Sequence, residues 1–169
     1  MIDLRKLTRR DFMKVSGSGV AGLVAVQAVP RAQAATDSGT EPGYPVADVA
    51  PLSSIEPGAV LDFSYPDEDS PAVLLRLPEP GESGIGPNNE IVAFSILCTH
   101  KGCPVGYRAE RKMLICPCHW STFDPAKAGN LVIGQASQAL PQIKLQIAGG
   151  MVQAAGVTGL IYGRHTNII

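Results

Sequence analysis

All four cysteines of this 169-residue chain, and two of its three histidines, fall between residues 98 and 119. They form two short strings, CTHKGC from Cys98 to Cys103 and CPCH from Cys116 to His119. Each string carries one thiol–imidazole pair, Cys98 with His100 and Cys116 with His119, beside turn-forming Gly102, Pro104 and Pro117. Tight loops of this composition can aim two side chains at one point. Three chemistries compete for them. Two cysteines and two histidines make a common structural zinc set, although zinc fingers usually place both cysteines on one arm. Ordinary disulfides between neighbouring cysteines would suit an exported protein but leave both histidines unexplained. A [2Fe–2S] cluster with two histidines on one iron suits the mixed arms, with Cys98 and Cys116 on the inner iron and His100 and His119 on the outer.

The first 34 residues read as a leader. Basic residues (Arg5, Lys6, Arg9, Arg10) precede an apolar run from about Val15 to Val29, and Ala32 and Ala34 set a small-residue cleavage pattern. Thr8-Arg9-Arg10-Asp11-Phe12-Met13-Lys14 has the form of a twin-arginine export signal, an address rather than an anchor. The expected localisation is the periplasm, and membrane contact is expected only if the leader is retained. The leader holds six of the 14 basic residues and two of the 15 acidic ones, so the remainder carries eight against 13. A net-acidic domain of this kind offers no electrostatic basis for binding nucleic acid.

Residues 35–45 (ATDSGTEPGYP) are polar and broken by Gly and Pro, and read as a flexible arm. From residue 46 to 169 the pattern is of short strands, expected at Val60–Tyr65, Ala72–Leu77, Ile91–Leu97, Met113–Cys116, Ile143–Ala148, Met151–Ala155 and Leu160–Gly163. Ala148-Gly149-Gly150 reads as a hairpin turn. No sustained 3.6-residue apolar period follows the leader, so the fold class is all-β and mainly antiparallel.

At these residues the chain resembles the Rieske iron–sulfur family, whose motif C-x-H-x-G-C … C-P-C-H-x-S is matched by Cys98, His100, Gly102, Cys103, Cys116, Pro117, Cys118, His119 and Ser121. The resemblance implies a β-barrel or sandwich base domain with a smaller cluster-binding β subdomain inserted at about 93–135. It also implies one Rieske [2Fe–2S] cluster on Cys98, His100, Cys116 and His119, and a Cys103–Cys118 disulfide of the kind found in exported members. Ser121 falls where many members hydrogen-bond a bridging sulfide. Phe123 falls where high-potential members carry Tyr, so an intermediate potential is expected within the roughly −150 to +300 mV span of such centres. Trp120 stands where the family often has Gly; shielding or partner contact competes with a place in the core. Ala139-Leu140-Pro141 resembles the family's third, proline-containing loop, and the lone His165 reads as a surface residue.

The stretches IGPNNEIVAFSILCTHKGCP, FDPAKAGNLVIGQASQALPQI and GVTGLIYGRHTNII are similar to the small subunit of arsenite oxidase. That resemblance implies a large molybdopterin subunit with a [3Fe–4S] cluster as partner, and a periplasmic cytochrome c or azurin-like copper protein as electron acceptor. This chain would relay electrons and transform no substrate itself. Two other functions stay open: the Rieske subunit of a quinol–cytochrome oxidoreductase, and a zinc-stabilised exported binding module.

Overall fold

The computed structural model describes residues 43–168; the expected leader and residues 35–42 of the expected arm lie outside them. Among the described residues no helix is long and apolar enough to cross a membrane. Within the described residues ten strands form two antiparallel sheets: β1 (Ala47–Pro51), β2 (Val60–Ser64), β3 (Pro71–Arg76), β4 (Ile91–Ser95), β5 (Gly106–Arg108), β6 (Met113–Ile115), β7 (Thr122–Asp124), β8 (Asn130–Ile133), β9 (Gln142–Ala148) and β10 (Met151–Thr158). The larger sheet runs β1-β10-β9-β4-β3-β2 and the smaller β5-β6-β7-β8. The chain leaves the larger sheet after β4, builds the whole smaller sheet, and returns at β9, so the smaller sheet is an insertion.

Strands β3 and β4 explain how the two sheets share one body. Both are apolar on both faces, and alternation along a strand sends successive side chains to opposite sides. Ala72, Leu74, Ile91 and Ala93 join Ile143, Val152 and Ala154 in one core. Val73, Leu75, Val92 and Phe94 turn the other way and pack with Cys98, Leu114, Cys116, Phe123 and Leu140. The two free thiols of the cysteine–histidine window therefore sit in the core between the sheets, not on a surface finger.

The expected β9–β10 hairpin forms with Ala148 paired to Met151, and its turn residues Gly149 and Gly150 both have positive φ, 58° and 79°, as a tight primed turn requires. The expected strand at Leu160–Gly163 does not form. Gly159 and Gly163 take positive φ, 90° and 83°, which breaks any extended run, and Arg164 N–H donates to the Ile161 carbonyl at 3.2 Å in a turn. The apolar side chain that suggested a strand, Ile161, is a buried anchor. The last residues of the expected arm are packed: Tyr44 stacks on Tyr65 with ring centroids 6.3 Å apart, and Tyr65 Oη donates to the Pro45 carbonyl at 2.8 Å.

The segment after β10 is fastened to the β2–β3 connection by Arg164, whose guanidinium lies 2.6 Å from Asp67 Oδ1. That hydrogen bond, foremost, holds the Asp67 carboxyl below its ordinary range. A carboxyl that binds its proton less readily folded than unfolded contributes stability above the ordinary carboxylate pKa and loses it as pH falls through the lowered folded value. Asp67→Asn is therefore expected to destabilise the protein at neutral pH and to make no difference in strong acid, read as urea midpoints across pH.

Candidate metal centre

The two motif loops are built to one plan. In the first, Cys98 N–H donates to the Cys103 carbonyl at 3.0 Å and Gly102 N–H donates back to the Cys98 carbonyl at 2.8 Å. In the second, Cys116 N–H donates to the Ser121 carbonyl at 2.8 Å and Trp120 N–H donates to the Cys116 carbonyl at 3.0 Å. Loops 98–103 and 116–121 thus superpose residue for residue in their backbone bonding, with Trp120 in the place of Gly102. That place is left-handed in both, with φ 71° at Gly102 and 62° at Trp120. Glycine takes this conformation freely, whereas a side chain costs roughly 1–2 kcal/mol there.

This explains why glycine suits position 120 and what tryptophan does instead. The residue is 70% exposed, so of the two readings open for it a place in the core is excluded. Trp120→Gly is expected to raise the unfolding free energy by about 1 kcal/mol through relief of the left-handed backbone, measured by denaturant titration.

Cys98 and Cys116 carry free, buried thiols. Burial pushes the Cys98 thiol up, and the neighbouring Cys116 adds to the rise; two thiolates close together without a cation repel, so this pair is made for a positively charged guest. The His100 and His119 rings meet edge to face, centroids 4.7 Å apart. His100 Nδ1 is buried without a hydrogen-bond partner. A buried orphan nitrogen is rare unless a ligand completes it, and its ring lies against a second imidazole on loops that also carry two neighbouring buried thiols, donors of the kind that hold iron. The donor set fits a cluster with two sulfur and two nitrogen ligands.

Cys103 and Cys118 are joined by a disulfide, Cα–Cα 6.5 Å, that links the two loops. The sulfurs of Cys103, Cys116 and Cys118 also lie within 4.8 Å of one another, but two of these are consumed in the bridge, so that trio is not a ligand set. A third segment closes the site: Thr99 Oγ1 donates to the Gln138 carbonyl at 2.8 Å, and Leu140 is buried in the core that holds both free cysteines. His165 is exposed.

Ser121 is fully buried, which excludes a surface hydroxyl. Its Oγ accepts from Gln135 N–H at 3.1 Å and from Ala136 N–H at 3.0 Å. A hydroxyl accepts twice and donates once; with both acceptor places filled, its hydrogen remains to be given away. Phe123 is fully buried beside the free cysteines and brings no donor. Ser121→Ala is expected to lower the midpoint potential by on the order of 60 mV, one charged hydrogen bond for one electron, and Phe123→Tyr to raise it; protein-film voltammetry reads both. Ser121→Ala also strands two amides.

Two buried thiols and two touching imidazoles, one half-buried and one exposed, on loops of an all-β scaffold define an iron–sulfur electron-transfer protein. The chain belongs to the Rieske [2Fe-2S] family, whose domain matches residues 46–144, and it carries one Rieske-type [2Fe–2S] cluster. It is similar to the iodate reductase subunit IdrB of Denitromonas iodatirespirans, 35% identical over 164 residues, covering 95% of this chain and 86% of that one. The IdrB of Pseudomonas sp. (strain SCT) is 37% identical over 160 residues, covering 93% and 82%. Among solved structures, the soluble domain of Rieske protein II (soxF) from Sulfolobus acidocaldarius is similar with TM-score 0.66 and 26% identity, covering 75% of this chain and 86% of that one.

Proposed function

We propose that the cluster is held by Cys98 and Cys116 on one iron and by His100 and His119 on the other, and that the chain is the electron-transfer subunit of a periplasmic arsenite oxidase exported by the twin-arginine route. When bound, the group supplies one-electron transfer. The residues do the rest. The thiols bury one end of the cluster in the core, the imidazoles bring the other end toward the surface at exposed His119, and the disulfide holds the loops together. With four protein ligands filled, no open position is left for a substrate, so the oxidation itself falls to a partner subunit bearing molybdopterin and a [3Fe–4S] cluster. A cytochrome c or azurin-like copper protein then takes the electrons.

The observation that carries the electron-transfer role is the orphan His100 Nδ1 on a loop that also supplies one of two free buried thiols. The arsenite reading rests on the similarity of the three stretches quoted above. A second reading, subunit of an iodate reductase, is favoured by the whole-length similarity to the IdrB chains. In that case electrons would run the other way. The absence of a hydroxyl at Phe123 weighs against a quinol-oxidising role.

Anaerobic spectroscopy on the complex purified from the exported fraction separates these. Arsenite bleaching the oxidised cluster supports the first reading. Iodate restoring colour to a pre-reduced cluster supports the second. A cluster that answers to neither, and to quinol instead, overturns both.

A further inference from the structure

The segment after β10 runs back across the cluster site as a strap, residues 159–167. It is fastened at three points. Ile161 is buried in the base-domain core. Asn167, itself buried, accepts from Ile161 N–H at 2.9 Å and donates to the Gly159 carbonyl at 2.7 Å and to Tyr44 Oη at 3.0 Å. Arg164 is paired with Asp67 at 2.6 Å. A segment tied this way is a rigid wall, not a fraying tail.

Tyr162 stands on that wall and presses on the first motif loop. A Cβ on Gly102 would lie 2.6 Å from Tyr162 Cδ1 and 2.7 Å from Cε1, far inside the roughly 3.5–4 Å of ordinary carbon contact. Gly102 is thus bare for two reasons, its left-handed backbone and the ring against it. The same strap meets the third loop, where a Cβ on Gly159 would lie 3.6 Å from Pro141 Cα. Loop 98–103 is held at Thr99 by the Gln138 carbonyl and at Cys103 by the disulfide. Tyr162 bears on the stretch between those ties.

We propose that Tyr162 is a positioning residue for the cluster: carried by the strap, its ring braces the Gly102 backbone and fixes loop 98–103, and with it the seat of His100. Resting on the ligand assignment above, this gives the C-terminal segment a role beyond closing the base domain. The matching place in the second loop, Trp120, has its side chain in solvent, so the two halves of the site are braced unequally, and the His100 side is the one that depends on the strap.

The test uses the intact, cluster-loaded chain. Tyr162→Ala is expected to lose the cluster's visible absorbance to a chelator about tenfold faster than wild type, and to broaden the spin-resonance lines and the histidine-nitrogen couplings of the reduced cluster. Tyr162→Phe, which keeps the ring, restores both. His165→Ala, exposed on the same strap, changes neither. Gly102→Ala is harmful in the wild-type background and less so beside Tyr162→Ala, because the ring it collides with is gone. A Tyr162→Ala protein with wild-type rate and spectrum overturns the brace and leaves the ligand assignment standing, as does failure of the Phe variant to restore them. A wild-type spectrum without two histidine nitrogens overturns both.

Discussion

Cys116→Ser protein is expected to purify folded and colourless, with neither iron nor acid-labile sulfide, and Cys98→Ser likewise. Both thiols are about 1% exposed and belong to the core between the sheets, so no solvent-borne donor can reach in to replace them. A serine oxygen is shorter-reaching and harder than a thiolate, and soft sulfur is what iron–sulfur clusters select. The fold should outlast the loss because Val92, Phe94, Leu114 and Phe123 still fill that core. Circular dichroism and a cooperative denaturant transition check that it does. The contrast is Cys103→Ser, which removes a bridge sulfur rather than a ligand and is expected to keep its colour. Full iron and sulfide in Cys116→Ser, or complete loss in Cys103→Ser alone, would reverse the division of the four cysteines into ligands and bridge.

How far the chain could be read in advance depends on the range of the interaction concerned. The β9–β10 hairpin was legible because its turn residues and flanking apolar runs are adjacent in sequence. Strands β3 and β4 were legible as apolar runs, though not the fact that their two faces serve two cores. Strands β5, β7 and β8 escaped because three or four residues show no period and, unlike the apolar Met113-Leu114-Ile115 of β6, β5 and β7 are no continuous apolar run, and β1 because Pro51 argues against a strand; as the outermost strand of its sheet it tolerates a residue with no N–H to give. Leu160–Gly163 was misread because one buried anchor, Ile161, flanked by apolar neighbours looks locally like an edge strand. The residues proposed as ligands stood out from spacing, whereas the Cys103–Cys118 pairing came from family resemblance. Nothing local to Tyr162 points to Gly102, 60 residues away, and the left-handed backbone under Trp120 becomes visible only once the two loops are compared bond for bond.

Removing the disulfide is expected to have the largest effect on stability short of the cluster itself. The bridge spans a sequence separation of 15, and in the chain-entropy picture closing such a loop is worth about 3 kcal/mol. The smaller sheet gives that figure local weight. Its strands are only three or four residues long, a size at which isolated hairpins are marginal in water, so the unfolded chain has little local structure of its own to replace the constraint that the bridge imposes on it. Cys103→Ser with Cys118→Ser should therefore lower the unfolding free energy by about 3 kcal/mol, while the ligands and the core they sit in remain. Colour should persist at neutral pH, but chelators should strip it faster, since loops 98–103 and 116–121 then part more easily. Because Cys118 is exposed, a thiol reductant applied to wild-type protein should reproduce the same loss. Denaturant titrations of the oxidised, reduced and double-serine proteins measure it, and an oxidised wild type no more stable than the double variant would mean that the core alone, and not the bridge, keeps the two loops closed.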